Sequence, residues 1–176
     1  MQFRNVMSML QIGARPFVGL ETMRVALYQP DIPQNTGTIL RLSACLNIAA
    51  DIILPAGFDL SSRALKRAAL DYFEAVDITR WSTFAEFRND ARERGARVVL
   101  LTTKAAVPYT AVEFKPSDIL LAGRESAGVP EDVHAAADLR VRVPMREDLR
   151  SLNIAVALAM VLGEALRQTG GFSRLG

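Results

Sequence analysis

Short apolar runs alternate with amphipathic segments along most of the chain. The apolar runs, rich in β-branched residues, predict six strands at 24–28, 48–54, 73–79, 97–102, 118–123 and 139–144. The segments between them have helical spacing and predict helices at 36–46, 61–71, 83–94, 130–137 and 151–168. Short strands separated by helices are typical of an α/β fold with a mostly parallel, open sheet and helices on both faces.

Several predicted helix ends carry residues that favour a boundary. Thr83 and Glu86 form a capping box at the start of the third helix, and Gly95 follows its end. Ser151 is the expected N-cap of the last helix, which Gly170-Gly171 should end. Because no interdomain linker interrupts the pattern, we expect one domain over residues 23–170 and a short tail at 171–176.

Residues 1–22 differ from the rest and form a predicted N-terminal extension. They are basic and have no acidic residue before Glu21, as in an organellar targeting segment. Such a segment would also be rich in Ser and would have an amphipathic face, which these residues lack. A disordered tail, or an alternative start at Met23, is therefore the favoured interpretation.

Composition excludes several classes of protein. The chain has 176 residues, half of them hydrophobic, which is enough for a proper core. It has no apolar run of about 18 residues, so we expect no membrane span and a cytoplasmic location. The single cysteine, Cys45, and the single histidine, His134, argue against a disulfide and a structural metal site. We expect Cys45 to be a buried apolar residue and His134 a surface residue.

The basic residues are strongly biased towards Arg. Of 21 Lys and Arg residues, only Lys66, Lys104 and Lys115 are Lys. The rigid guanidinium fork suits phosphate, so the bias permits a nucleic-acid partner. A genome that prefers Arg codons would give the same bias, and composition leaves both explanations open.

Three long polar loops follow predicted strands, where parallel sheets bind ligands. Their sequences are QPDIPQNTG, GRESAGVP and PMREDLRSLN. They contain no Walker loop, no G-x-G-x-x-G and no G-x-S-x-G elbow, so the common nucleotide-binding and hydrolase motifs are excluded. Glu125 and Glu131 read as a helix cap and a solvated charge rather than an acid/base pair.

Together, the segments NTGTILRLSA, LLAGRESAGVP and VRVPMREDLRSLNIAVALA resemble, in order and spacing, the three motifs of the SPOUT (α/β-knot) RNA methyltransferases. Residues 23–168 are similar to the small tRNA (cytidine/uridine) 2′-O-ribose methyltransferases that act on the wobble nucleotide. The resemblance implies a C-terminal deep trefoil knot, a homodimer, S-adenosylmethionine as cofactor and the tRNA anticodon loop as substrate. Methylation of another tRNA or rRNA position, or a non-catalytic RNA-binding knot protein, stays an alternative.

The resemblance also assigns individual residues. It implies that Arg41 is catalytic together with Asn35, and that Asn35 and Gly37 shape the turn before it. A guanidinium has no acceptor and stays protonated, so we expect Arg41 to orient the 2′-oxygen and stabilise its developing charge. The implied cofactor contacts are Leu101, Gly123, Val143, Met145, Ser151 and Leu152. Many relatives read G-P-E-T-R-G-L-P where this chain reads GRESAGVP, which leaves open whether Arg124 meets an RNA phosphate.

Overall fold

The computed structural model describes residues 22–61 and 75–175, together with Leu65 and Tyr72. Within them, seven parallel strands form one sheet in the order β3-β2-β1-β6-β4-β7-β5. The strands are β1 (Arg24–Tyr28), β2 (Ala49–Ile53), β3 (Ile78–Trp81), β4 (Val98–Leu101), β5 (Val107–Pro108), β6 (Ile119–Ala122) and β7 (Leu139–Arg142). The helices are α1 (Pro33–Cys45), α2 (Phe84–Glu93), α3 (Glu131–Ala136) and α4 (Ile154–Thr169).

Helices cover both faces of the sheet, as predicted. Alternate residues of β1 belong to opposite cores: Val25 and Leu27 pack with α1 and α4, whereas Ala26 and Tyr28 pack with α2 and α3. This alternation follows from the two-residue period of a strand. The predicted α/β class with a parallel sheet is therefore confirmed.

A buried ion pair crosses the first three strands. The Arg24 guanidinium donates to both oxygens of Asp51 at 2.7 and 2.8 Å, and the Trp81 indole N–H donates to Asp51 Oδ1 at 3.0 Å. Asp51 is fully buried. Its charge is balanced because a cation and a ring N–H both face it.

Some predicted boundaries were wrong. The third strand is Ile78–Trp81 rather than 73–79, since the buried Trp81, with its N–H bonded to β2, extends the strand forward. Strand β5 was not predicted because two residues carry no periodicity. Helix α1 begins at Pro33, whose fixed φ suits a first helical residue, so Asn35 and Gly37 lie inside the helix rather than in a turn. Most of the helix predicted at 61–71 lies outside the described residues.

The helix caps were predicted in part. The Glu86 N–H donates to Thr83 Oγ1 at 3.1 Å, and Gly170 ends α4 with φ of 68°. The N-cap of α4, however, is Asn153 and not Ser151: its side chain accepts from the N–H groups at the start of the helix. Cys45 is exposed because it occupies the last turn of α1, which corrects its predicted burial.

Candidate active site

The functional loops meet at one edge of the sheet. Because all strands are parallel, the loops that follow β1, β4, β6 and β7 leave from the same edge. They enclose a cavity of about 440 Å³. Its lining includes Asn35, Leu101, Thr102, Gly123, Arg124, Glu125, Arg142, Val143, Met145, Ser151, Leu152 and Asn153. All six residues that the resemblance assigns to the cofactor thus line one cavity, although they span 51 positions between Leu101 and Leu152.

The loop after β6 is tightly folded. Arg124 and Gly128 exchange backbone hydrogen bonds at 2.9 and 3.0 Å, and Gly128 has φ of +66°, a conformation that favours glycine. A Cβ on Gly123 would lie 2.8 Å from the carbonyl carbon of Gly128. Gly123 is therefore required by the close approach of the loop's own backbone.

Arg124 is directed towards the end of β1. Its guanidinium donates to the Gln29 side-chain oxygen and lies 5.6 Å from the centre of the Tyr28 ring. Gln29 in turn donates to the Leu54 carbonyl at 3.3 Å and has a positive φ of 45°. Through these contacts, Arg124 joins the loop after β6 to the loop after β1.

Asp31 makes a second, reciprocal connection between the same two loops. Its carboxylate accepts from the N–H groups of Glu125 and Ser126 at 3.1 and 3.3 Å and from the Ser126 hydroxyl. In return, the Asp31 N–H donates to Glu125 Oε2 at 3.2 Å. The two loops therefore hold each other through both backbone and side-chain groups.

The pKa values of Asp31 and Glu125 are shifted in opposite directions. The hydrogen bond with Glu125, together with those from Ser126, lowers the pKa of Asp31 to about 2. Burial, followed by the hydrogen bond with Asp31, raises the pKa of Glu125. As the pH falls, Glu125 is therefore the first of the two carboxyl groups to take up a proton, while Asp31 stays ionised and accepts hydrogen bonds.

Two amides continue this network to α4. Asn153 Oδ1 accepts from the Ala155 N–H at 2.9 Å, so its amide nitrogen is left to donate. It donates to Asn35 Oδ1 at 2.9 Å. Burial raises the pKa of the neighbouring Glu125, and the nearby Asn35 side chain opposes that rise. The Asn35–Asn153 bond thus links α1 to the start of α4 beside the Asp31–Glu125 contact.

Arg41 lies outside the cavity lining, on the exposed side of α1. Its guanidinium carbon is 5.3 Å from the centre of the Tyr72 ring. Among the described residues, no carboxylate lies within ion-pair distance of Arg41. The guanidinium is exposed, and with respect to the residues that the structure describes its donors are available to an anionic ligand.

Asp31 and Asn153 were missed by the sequence analysis, which gave Glu125 a different role. Their contacts join residues 94 and 118 positions apart, and no local pattern carries such a signal. The one available indication was that both belong to the polar loops.

His134 is partly buried, and the Arg140 guanidinium donates to its carbonyl at 3.0 Å.

The described part of the chain contains no cluster of three or more metal-binding side chains. Nor does any helix in those residues reach the length and apolarity needed to cross a bilayer.

Comparison with solved structures finds the same α/β fold in RNA methyltransferases, which gives the class of protein to which this fold belongs. A structure described as "Structural insights into the 2-OH methylation of C/U34 on tRNA" aligns with a TM-score of 0.79 and 42% identity, over 85% of this chain and 97% of that one. An AdoMet-bound rRNA methyltransferase from Sinorhizobium meliloti aligns with a TM-score of 0.77 and 29% identity, over 83% of this chain and 56% of that one.

The family follows from the sequence comparison. Residues 22–163 match the SpoU rRNA Methylase family, and the chain belongs to it. A relative from Beijerinckia indica subsp. indica, named tRNA (cytidine(34)-2'-O)-methyltransferase, is 60% identical over 86% of this chain and 94% of its own. The resemblance drawn from the three loops is therefore confirmed.

Proposed function

We propose that the protein is an S-adenosylmethionine-dependent enzyme that methylates the ribose 2′-hydroxyl of the wobble nucleotide, cytidine or uridine 34, in the tRNA anticodon loop. The observation that carries the proposal is that one cavity is lined by all six predicted cofactor residues. The chain is also 60% identical to the relative named tRNA (cytidine(34)-2'-O)-methyltransferase. Because that relative is matched over 94% of its length, the similarity extends across its whole domain.

The cavity suits the cofactor in size and chemistry. A volume of about 440 Å³ is typical of a small-molecule site. Leu101, at the end of β4, and Val143, just after β7, offer apolar surface, and Ser151 adds a hydroxyl at the rim. We propose that these residues, with Gly123, Met145 and Leu152, hold S-adenosylmethionine. When bound, the cofactor supplies an electrophilic methyl group.

Arg41 is the residue we assign to the substrate hydroxyl. It has no lone pair to take the proton, but its fork can orient the 2′-oxygen and stabilise the negative charge that develops there. Its exposure and the lack of a carboxylate partner among the described residues support this role. Asn35 accepts a hydrogen bond from Asn153 and so supports the site by holding α1 to the start of α4.

The proposal also includes the C-terminal trefoil knot and the homodimer implied by the family resemblance. A groove between α1 and α4, lined by Thr38, Leu42, Val156, Ala159 and Met160, gives a second copy an apolar surface to cover. Val156 and Met160 are 51% and 40% exposed. Asn153 borders both this groove and the cavity, so the proposed interface adjoins the site. The cytoplasmic location stays a prediction.

Labelled S-adenosylmethionine and bulk tRNA or rRNA test the proposal directly. We expect label in tRNA, and mass spectrometry of digested RNA should find it as 2′-O-methylated nucleoside at position 34. Label confined to another tRNA position or to rRNA would favour the alternative substrate. If no RNA is labelled under conditions where a known methyltransferase is active, the enzyme assignment is wrong.

A further inference from the structure

We infer that Asp31 is a positioning residue that fastens the loop after β6 to the loop after β1 and so maintains the cofactor side of the site. This inference rests on the proposed function, because it concerns S-adenosylmethionine binding. Asp31 lies just before α1 and is not among the residues that the family resemblance assigns to the site. It acts through Glu125 and Ser126 rather than by touching a ligand.

Asp31 makes four hydrogen bonds to the loop after β6. Three donors from two successive residues, Glu125 and Ser126, converge on its carboxylate. Its own N–H binds Glu125 in the opposite direction at 3.2 Å. Each hydrogen bond to an ionised acceptor is stronger than a neutral one, so this set favours one relative placement of the two loops.

The position of the loop after β6 affects the cavity because residues of this loop line it. Gly123 and Glu125 both face the cavity, and the loop between Arg124 and Gly128 is closed by its own backbone hydrogen bonds. These bonds fix the shape of the loop, so its position depends on its contacts with the loop after β1. Removing the Asp31 carboxylate leaves two described links between the loops: the bond from the Asp31 N–H to Glu125 Oε2, and the bond from the Arg124 guanidinium to Gln29.

The surroundings of Asp31 also restrict its place. A Cβ on Gly57 would lie 2.8 Å from the Asp31 Cβ and 3.0 Å from its Cα. The Gly57 N–H donates to the Pro30 carbonyl at 2.8 Å, which holds this close approach. Gly57 lies outside the cavity lining, so Gly57→Ala offers a way to displace Asp31 without changing any group of the site.

The test compares Asp31→Ala, Asp31→Asn and Gly57→Ala with the wild type and with the control Glu93→Gln, an exposed carboxylate at the end of α2. Calorimetry measures the Kd for S-adenosylmethionine, and methylation of tRNA gives kcat and KM. Amide hydrogen exchange over residues 124–128 reports the fastening itself and needs no ligand. Thermal melts establish that each variant is folded.

For Asp31→Ala we expect the Kd and the KM for S-adenosylmethionine to rise about tenfold or more, with kcat at saturation changed much less. The amides of Glu125 and Ser126 should exchange faster. Asp31→Asn keeps one acceptor and should be intermediate, Gly57→Ala should change the Kd in the same direction, and Glu93→Gln should match the wild type.

The two ideas fail in different ways. If the wild type methylates tRNA and Asp31→Ala, although folded, binds S-adenosylmethionine with unchanged Kd, the positioning role is overturned. A fall in kcat alone would also contradict it. If the wild type neither binds S-adenosylmethionine nor labels tRNA, the proposed function fails, whatever the exchange rates show.

Discussion

At the scale of single residues, Arg41 has the clearest chemical role to test. We expect Arg41→Ala to lower kcat by about 10²–10³-fold, the usual cost of losing a group that stabilises a developing charge. Cofactor affinity should be nearly unchanged because Arg41 lies outside the cavity lining. Single-turnover methylation and calorimetry measure the two quantities, with Arg92→Ala, an exposed arginine on α2, as control. A large rise in the Kd for S-adenosylmethionine would contradict the role.

Asp31 and Glu125 predict a pH dependence that can be worked out from their pKa shifts. The pKa of Asp31 falls from 3.8 to about 2, so its stabilising effect is present above pH 3.8 and is lost as the pH drops towards 2. The pKa of Glu125 is raised above 4.5, so its contribution is full below pH 4.5 and declines as the pH rises through the folded value.

Asp31→Asn should therefore lower the pKa of Glu125, since it removes the facing carboxylate, but burial should keep it above 4.5. The other groups around the pair are Asn35 and Ser126, which are neutral, and Arg124, whose guanidinium is directed to Gln29. Carboxyl-carbon NMR titration of Glu125 measures the change directly. An unchanged pKa in the variant would show that burial alone raises it, and a higher pKa would contradict the effect assigned to Asp31.

Where family motifs mark residues, the sequence analysis named ones that line the cavity, and it missed contacts made between residues distant in sequence. Leu101, Gly123 and Ser151 were assigned from motifs, and all line the cavity. Asp31 and Asn153 escaped because their partners come from other loops. Asn35 was placed in a turn because its neighbours are turn formers, whereas Pro33 starts the helix earlier.

At the scale of helices and strands, the strongest local patterns were the most predictable. β1 and β6 are near-continuous apolar runs, as expected for strands buried on both faces, and their predicted bounds agree within one residue at each end. β3 was displaced because Trp81 belongs to it through a hydrogen bond to Asp51 on β2. Such a contact between strands lies beyond the reach of periodicity.

The ion pair between β1 and β2 gives a prediction at this same scale. Asp51→Ala should destabilise the fold by about 3–5 kcal/mol, because it leaves the Arg24 guanidinium buried without its partner. Urea denaturation measures the free energy of unfolding. The exposed pair Arg146–Asp148 is the matched control, since Asp148→Ala should cost about 1 kcal/mol or less. Equal losses in the two variants would contradict the importance of burial.

The whole molecule is the scale at which the sequence was least informative on its own. Alternation of strands and helices predicted the α/β class, but strand order depends on which distant segments pair. The knot and the homodimer came only from the family resemblance, and both stay proposals. In a single chain, a surface that packs against another copy is visible only as a group of exposed apolar side chains, such as those on α4.

The exposed apolar side chains of α4 make the proposed dimer testable. Val156→Glu places a charge in the groove between α1 and α4, where burial against a second copy would leave it without a partner. We expect light scattering to report half the wild-type mass. Val107→Glu is the control, because Val107 is 44% exposed but lies on the edge strand away from the groove. Since Asn153 borders both groove and cavity, the Val156→Glu monomer should also bind S-adenosylmethionine more weakly. A monomeric wild type would contradict the dimer, and a variant that stays dimeric would place the interface elsewhere.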